Sequence, residues 1–268
     1  MRPVFIAIMI SIAPNFLFGQ FNETINSGRP GQSIGACTIG KKVIQIQSGI
    51  SFNKVDEGMN EYNSFAENTL LRVGILEYFE LRGGIRWQSD KIKMSGIEEI
   101  QKGISSTEIG GRINILESNG AKPAIGIQGS ILLKAQSEDF KREKLGSNFI
   151  LATENNLTNW LSLGTNWGVT WSGNNSEPES FYALSFSFGI SEKFGGFCEV
   201  YGSLDDFRVN YDTGFSLLVN KDLQFDFSGG WQGDNDVSDW FLDFGVSWRL
   251  DWRNDFKHSD NEGALIEN

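Results

Sequence analysis

The sequence is poor in the residues that support catalysis and metal binding. Its 268 residues include one histidine, His258, and two cysteines, Cys37 and Cys198. Ser-His hydrolases need a histidine base, and clustered Cys or His residues are needed for zinc, so we expect neither an enzyme nor a cofactor. Two cysteines are too few for a disulfide scaffold. They either pair with each other or, as we favour, remain thiols.

Positive charge is also scarce. The chain has 23 Lys and Arg against 34 Asp and Glu, which gives a net charge of −11. A nucleic-acid-binding protein needs a basic face to neutralise phosphates. The balance therefore argues against nucleic acid as a partner and is typical of a secreted or surface-exposed protein.

Apolar runs long enough for a spanning helix, about 20 residues, do not occur beyond the N-terminus. The first 19 residues have Arg2, an apolar centre and Gly19, which is the pattern of a cleaved signal peptide. The alternative is a retained anchor, although Pro14 interrupts it. Residues 20–40, with GRPGQS at 28–33, predict an irregular periplasmic lead-in, and residues 251–268 form an acidic tail.

What the chain does have is strict alternation, seen best at residues 68–87, NTLLRVGILEYFELRGGIRW. One face carries large apolar side chains and the other carries charges, and this period of two predicts two strands joined by a tight turn. A packed core would not accept the charges and water would not favour the apolar face. A sheet between lipid and a wet interior satisfies both.

The alternation repeats to the end of the chain and predicts about twelve strands over residues 41–250. Short turns alternate with longer polar connections, which we place at 54–62, 88–102, 135–146, 173–179 and 233–238. Aromatic residues fall near both ends of the strands, as in the girdles of outer-membrane barrels. The fold class is therefore all-β, a single up-and-down antiparallel transmembrane barrel in the bacterial outer membrane.

Several segments resemble the outer-membrane transporter family labelled "putative MetA-pathway of phenol degradation". They are GRPGQS at 28–33, LLRVGILEYFELR at 70–82, FCEVYG at 197–202, QFDFSGG at 224–230 and GVSWRL at 245–250. The resemblance implies a barrel that transports small compounds, with aromatic or hydrophobic ones among the candidates. DFGVSWRL also looks like the terminal-strand signal read by the barrel-assembly machinery.

Polar residues on the inward face are the candidate solute path. They are Arg72, Glu80, Arg82, Arg86, Glu108, Arg112, Gln128, Glu154, Asn166, Glu199, Asp212, Asp226, Asp243 and Arg249. The arginines of the first half and the carboxylates of the last four strands would form facing basic and acidic walls. These walls either flank an open lumen or meet as salt bridges that plug it. Inward glycines are interpreted as relief of crowding on a concave wall.

We expect a monomeric passive channel for a small solute, with outer-membrane lipid and the assembly machinery as its other partners. The main alternative is a closed structural or surface-interaction barrel that transports nothing. A soluble secreted β-sandwich is a third possibility. Paired inward carboxylates could support acid–base chemistry, but lumen polar groups are the simpler interpretation.

Overall fold

The computed structural model describes residues 23–119, 122–207, 209–232 and 238–253. The expected signal peptide and nearly all of the acidic tail, including His258, lie outside these ranges. The strands are β1 (Val43–Asp56), β2 (Asn60–Leu76), β3 (Phe79–Met94), β4 (Ile97–Leu116), β5 (Ala124–Leu132), β6 (Gly146–Asn156), β7 (Leu161–Trp171), β8 (Glu179–Gly189), β9 (Phe194–Ser203), β10 (Asn210–Asn220), β11 (Leu223–Gln232) and β12 (Ser238–Asp251).

These strands close into one barrel. Each pairs antiparallel with its sequence neighbours, and β1 completes the ring by pairing with β12 from Val43 opposite Asp251 to Asp56 opposite Ser238. Closure leaves no strand edge with unpaired backbone groups. The predicted twelve-stranded up-and-down barrel is confirmed. Within the described ranges, no helix has the length and apolar character to cross a membrane.

Alternation sorts the side chains as predicted. In β1, Gln45 and Gln47 are buried inside the barrel, whereas Ile46 and Ile50 are about 40% exposed on its outer face. Aromatic pairs sit on the outer face towards both ends of the strands. Examples are Phe149–Trp171, with ring centroids 6.4 Å apart, and Trp160–Phe188, at 6.5 Å.

The two ends of the barrel differ. At the end we call the short-turn end, strands join through residues 77–78, 117–123, 157–160, 190–193 and 221–222. The opposite, long-hairpin end carries a 13-residue loop at 133–145 and also the hairpins β1–β2 and β3–β4. The N-terminal entry to β1 and the end of β12 both lie at the short-turn end.

The predicted loops at 54–62 and 88–102 are wrong, because both are largely strand. β1 and β2 join through residues 57–59, and β3 and β4 through Ser95 and Gly96. Both of these residues have positive φ, 48° and 87°, as a tight two-residue hairpin requires. The sequence looked like loop because both faces of these extensions are largely polar, so the apolar alternation stops before the strands do.

Candidate functional site: the lumen and its N-terminal segment

The lumen contains a stretch of its own chain. Residues 23–40, which we call the lumen segment, lack regular structure and contact inward side chains of strands in both halves of the barrel. The predicted lead-in is therefore irregular as expected, but it lies inside the barrel rather than before it. The physical reason is that the inward charges need partners, and the backbone amides and carbonyls of an irregular segment supply them.

The segment starts at the short-turn end. Arg249 of β12 donates from Nη1 to the carbonyl of Thr24 at 2.9 Å and from Nη2 to that of Glu23 at 2.8 Å. The amide of Ile25 donates to the Lys221 carbonyl at 2.8 Å. Next, Arg72 Nη1 donates to the carbonyl of Asn26 at 2.9 Å. Two inward arginines on opposite halves of the sequence thus fix the first four residues of the segment.

The segment then crosses to the acidic wall, where its Arg29 side chain contacts two carboxylates. Its Nη2 contacts Asp243 Oδ1 and lies 3.3 Å from Asp226 Oδ1. Gly49 and Gly245 leave room for the guanidinium, because a Cβ on either would lie 2.3 Å from it. Arg29 lies in the GRPGQS motif, but sequence reasoning assigned it no role. The excess of carboxylates over arginines on β9–β12 was the signal that pointed to a missing cation.

Two further strands hold the middle of the segment. Glu199 of β9 accepts the amides of Gln32, at 2.7 Å, and Ser33, at 3.0 and 3.1 Å. Asn166 of β7 accepts the amide of Ile34 at 2.6 Å and donates to its carbonyl at 3.0 Å. Each side chain binds backbone groups, so the segment is held in a fixed register although it forms no ladder.

The last part of the segment returns along the basic wall. Arg112 Nη1 donates to the carbonyl of Cys37 at 3.2 Å, and Arg112 Nη2 donates to Gln128 at 2.8 Å. The amide of Ile39 donates to Glu80 Oε2 at 2.9 Å. With these contacts the segment completes a circuit of the interior and reaches β1 at the end where it entered.

Ion pairs in the basic wall stay within that wall. Arg72 binds Glu80 in a bidentate pair at 2.9 and 2.8 Å, and Arg82 Nη1 reaches the same carboxylate at 3.1 Å. Among the described residues, no ion pair joins the basic wall to the acidic wall. One of the two sequence interpretations is a plug in which the two walls form salt bridges with each other. That interpretation is wrong, because the walls do not pair with each other in the part of the chain that the structure describes.

The remaining candidate residues also face inward. Arg86 and Glu108 line a cavity described below, and Glu154 Oε2 lies beside Gly35 of the segment. Asp212 is 3% exposed and lies opposite Glu199 in the β9–β10 register. Within the described residues, only eight of the predicted set have a hydrogen bond or ion pair to the lumen segment. They are Arg72, Glu80, Arg112, Asn166, Glu199, Asp226, Asp243 and Arg249.

Close backbone approach explains two inward glycines. A Cβ on Gly126 would lie 2.2 Å from the carbonyl oxygen of Ala36, and one on Gly74 would lie 1.6 Å from that of Gly40. Real Cβ atoms do not come this near to backbone oxygen. These glycines therefore admit the segment, which is a more specific role than the predicted relief of crowding.

Three cavities adjoin the segment. The lower cavity, about 500 Å³, opens towards the short-turn end beside Trp160 and Gly189. The basic cavity, about 310 Å³, lies on the other side of the segment among β1–β4. The upper cavity, about 720 Å³, extends from Gln32 to the loop rim at Asp205. Gly28, Arg29 and Ile34 border both the lower and the basic cavities, so these residues form the constriction between them.

The cysteines lie on opposite sides of the barrel wall. Cys37 is half-buried in the lumen segment, whereas Cys198 is exposed on the outer face of β9, and both are free thiols. The wall between them prevents pairing, so the alternative of a Cys37–Cys198 disulfide is wrong.

Comparison with protein families identifies the chain. A family model described as "Putative MetA-pathway of phenol degradation" matches residues 27–250. The chain belongs to this family. The match includes most of the lumen segment as well as the barrel, and so confirms the resemblance seen in the sequence. No curated protein matches the chain.

Two solved structures are similar to this barrel in fold. The COG4313 outer membrane channel from Pseudomonas putida F1 superposes with a TM-score of 0.68 at 8% identity, covering 83% of this chain and 99% of that one. The KdgM porin in complex with disordered oligogalacturonate gives a TM-score of 0.52 at 11% identity, covering 75% and 98%. At these identities the likeness establishes the fold.

Proposed function

We propose that this protein is a passive channel for small solutes in the bacterial outer membrane, narrowed by its lumen segment. The observation that carries the proposal is the constriction at Gly28, Arg29 and Ile34, which separates a cavity open to the short-turn end from a cavity on the other side. A solute that moves between these two cavities would pass these three residues. Movement down a gradient needs no cofactor.

The outer face supports a membrane location. Large apolar side chains are exposed there on every side of the barrel, for example Leu81, Phe149, Phe186, Phe215 and Phe244. Water would not favour so continuous an apolar surface, whereas lipid matches it. The aromatic pairs near both ends are placed like interfacial girdles. The soluble β-sandwich alternative offers no explanation for either feature.

The orientation follows from the connections. Outer-membrane barrels have short periplasmic turns and longer outer loops, so the short-turn end would face the periplasm. The lumen segment would then enter from the periplasmic side, directly after a cleaved signal peptide. Because the barrel is closed without a free edge, we propose that it functions as a monomer after insertion by the assembly machinery.

The lumen polar groups fit this function better than catalysis. Four of the inward carboxylates bind the segment instead: Glu80 and Glu199 accept its amides, and Asp226 and Asp243 contact Arg29. A catalytic carboxylate must reach a substrate, and these groups are already engaged. We therefore propose a non-enzymatic role.

The runner-up is a closed structural barrel. The hydrogen bonds between the segment and β3, β4, β7, β9 and β12 favour it, because they hold the segment across the lumen. In this version the long-hairpin end would carry the function by binding a surface partner.

Planar-bilayer recording of the purified protein separates the two. The channel proposal predicts discrete, reproducible current steps after insertion, at constant voltage and without added cofactor. Heat-modified mobility on a gel serves as the control for folding. Folded protein that inserts, as shown by protease protection in vesicles, but never conducts would overturn the channel proposal and support the closed barrel.

A further inference from the structure

The basic cavity has an unusual charge balance. It is lined by Arg82 and Arg86 on one side and by Glu108 on another. Arg82 shares Glu80 with Arg72, which already binds both oxygens of that carboxylate. The single carboxylate of Glu80 thus pairs with two guanidinium groups, which leaves one positive charge without a partner in this cluster. Arg82, one of the two arginines, lines the cavity.

The guanidinium donors are not exhausted by these contacts. The Arg82 side chain is 7% exposed, and its Nε has no hydrogen-bond partner among the described residues. Arg86 donates from Nε to Gln88 at 3.0 Å, and no described carboxylate lies within 4.0 Å of its guanidinium. A buried N–H without a partner is costly. An anionic group from a solute would offset the positive charge of the two guanidinium groups.

The rest of the cavity is partly apolar. Ile34 of the lumen segment and Leu70 of β2 line it, and Leu70 faces inward because it pairs with the inward Gln47. A volume of about 310 Å³ accommodates a small organic molecule. The cavity therefore combines two guanidinium groups with an apolar surface beside the constriction.

We propose that the basic cavity is a binding subsite for small amphipathic carboxylic acids, with Arg86 binding the carboxylate, Arg82 adding positive charge to the site, and Ile34 and Leu70 contacting the carbon skeleton. Guanidinium groups bind carboxylates through two parallel hydrogen bonds. The carboxylate of Glu108 repels a bound anion, which lowers the affinity of the subsite and favours release of the solute. The proposal rests on the channel function above, because it names the solute class that the channel takes up.

Fluorine NMR of the detergent-folded full chain tests the subsite. The probe is 4-fluorobenzoate, and 4-fluorobenzyl alcohol and 4-fluorobenzylamine serve as neutral and cationic controls of similar shape. We expect saturable broadening or shift of the benzoate signal alone. Equal binding of the alcohol, preferential binding of the amine, or no saturable binding of benzoate would each overturn the proposal. If inorganic phosphate competes as well as benzoate does, the proposed contact of Ile34 and Leu70 with the carbon skeleton would be overturned.

Two substitutions with opposite expected effects locate the site. Arg86→Gln removes a carboxylate donor and should weaken benzoate binding about tenfold, whereas Glu108→Gln removes repulsion and should strengthen it. Neither residue has a hydrogen bond or ion pair to the lumen segment in the described residues, so the barrel should fold in both, as heat-modified mobility reports. Unchanged affinity in both folded variants would contradict the assignment.

The test separates this inference from the channel function. Benzoate binding without conductance would leave the subsite standing and remove the channel. Conductance without benzoate binding would leave the channel standing and remove the subsite.

Discussion

Replacing Gly126 by alanine should release the lumen segment from the basic wall. The added Cβ would lie 2.2 Å from the carbonyl oxygen of Ala36, 3.0 Å from its carbonyl carbon and 3.1 Å from its Cα. The obstruction is backbone, which cannot rotate away as a side chain would. Asn114 donates to this same Ala36 carbonyl and Arg112 donates to the next one, that of Cys37, so a shift of the segment also strains both hydrogen bonds.

The size of the effect follows from that overlap. The segment would have to move by about 1 Å to reach ordinary contact distance, and overpacking of this kind costs about 1–3 kcal/mol. Since 1.4 kcal/mol is a factor of ten, the ratio of docked to undocked segment should fall by about 5- to 150-fold. The barrel hydrogen bonds are not touched by the change.

Cys37 reports docking directly. It is half-buried beside the cluster of Ala36, Ala124 and Ala152. In a Cys198→Ser background, which removes the thiol on the outer face, a maleimide should label Cys37 faster in Gly126→Ala than in the parent, by a factor within that range. The mean current per channel should rise as well.

Gly164→Ala is the matched control. Gly164 also lines the lumen, but a Cβ there finds its nearest atoms at 3.9 Å. Labelling and current should then match the parent. If Gly126→Ala labels no faster than Gly164→Ala while both are folded, the segment does not pack against Gly126 and the reasoning fails.

Two further predictions concern the outer wall and the middle of the segment. Phe225→Arg, on the lipid face, should cost about 2–4 kcal/mol in urea unfolding from vesicles, whereas Ser185→Arg, beside the lower cavity, should cost much less; equal losses would mean that the faces are reversed. Glu199→Gln replaces charge-assisted acceptance by a neutral carbonyl and should speed hydrogen exchange of the Ser33 amide about tenfold. Glu154 accepts no described hydrogen bond from the segment, so Glu154→Gln should leave that exchange rate unchanged. Identical rates in both variants would refute the role of Glu199.

Much of the barrel could be predicted because its signal is local. Period-two alternation assigned Leu71 to the outer face and Arg72 to the inner face, and the closed sheet confirms both. The extended hairpins at 57–59 and 95–96 could not be found this way, because strand that leaves the membrane no longer needs an apolar face.

The lumen segment was missed for a different reason. Its backbone is irregular, so it has no periodicity, and its partners lie far away in sequence: Gln32 binds Glu199 across 167 residues. Arg29 carries no local sign that it neutralises Asp226 and Asp243. What the sequence did contain was an imbalance of inward charge, and such an imbalance predicts that partners exist without saying which residues they are.

The central claim is that solutes and ions pass the constriction formed by the lumen segment. It is tested most directly by single-channel recording of Gly28→Cys in a background that lacks Cys37 and Cys198. Gly28 borders both cavities, and a Cβ there meets only Gln47 Oε1, at 3.5 Å, so the cysteine fits.

Addition of a charged methanethiosulfonate reagent during recording should lower the current in one step, and dithiothreitol should restore it. The control is a variant that lacks Cys37 but keeps Gly28 and Cys198. The same reagent should leave its current unchanged, because the Cys198 thiol lies on the lipid face. Complete modification of the Gly28→Cys protein, verified by mass, with no change in current would contradict the account.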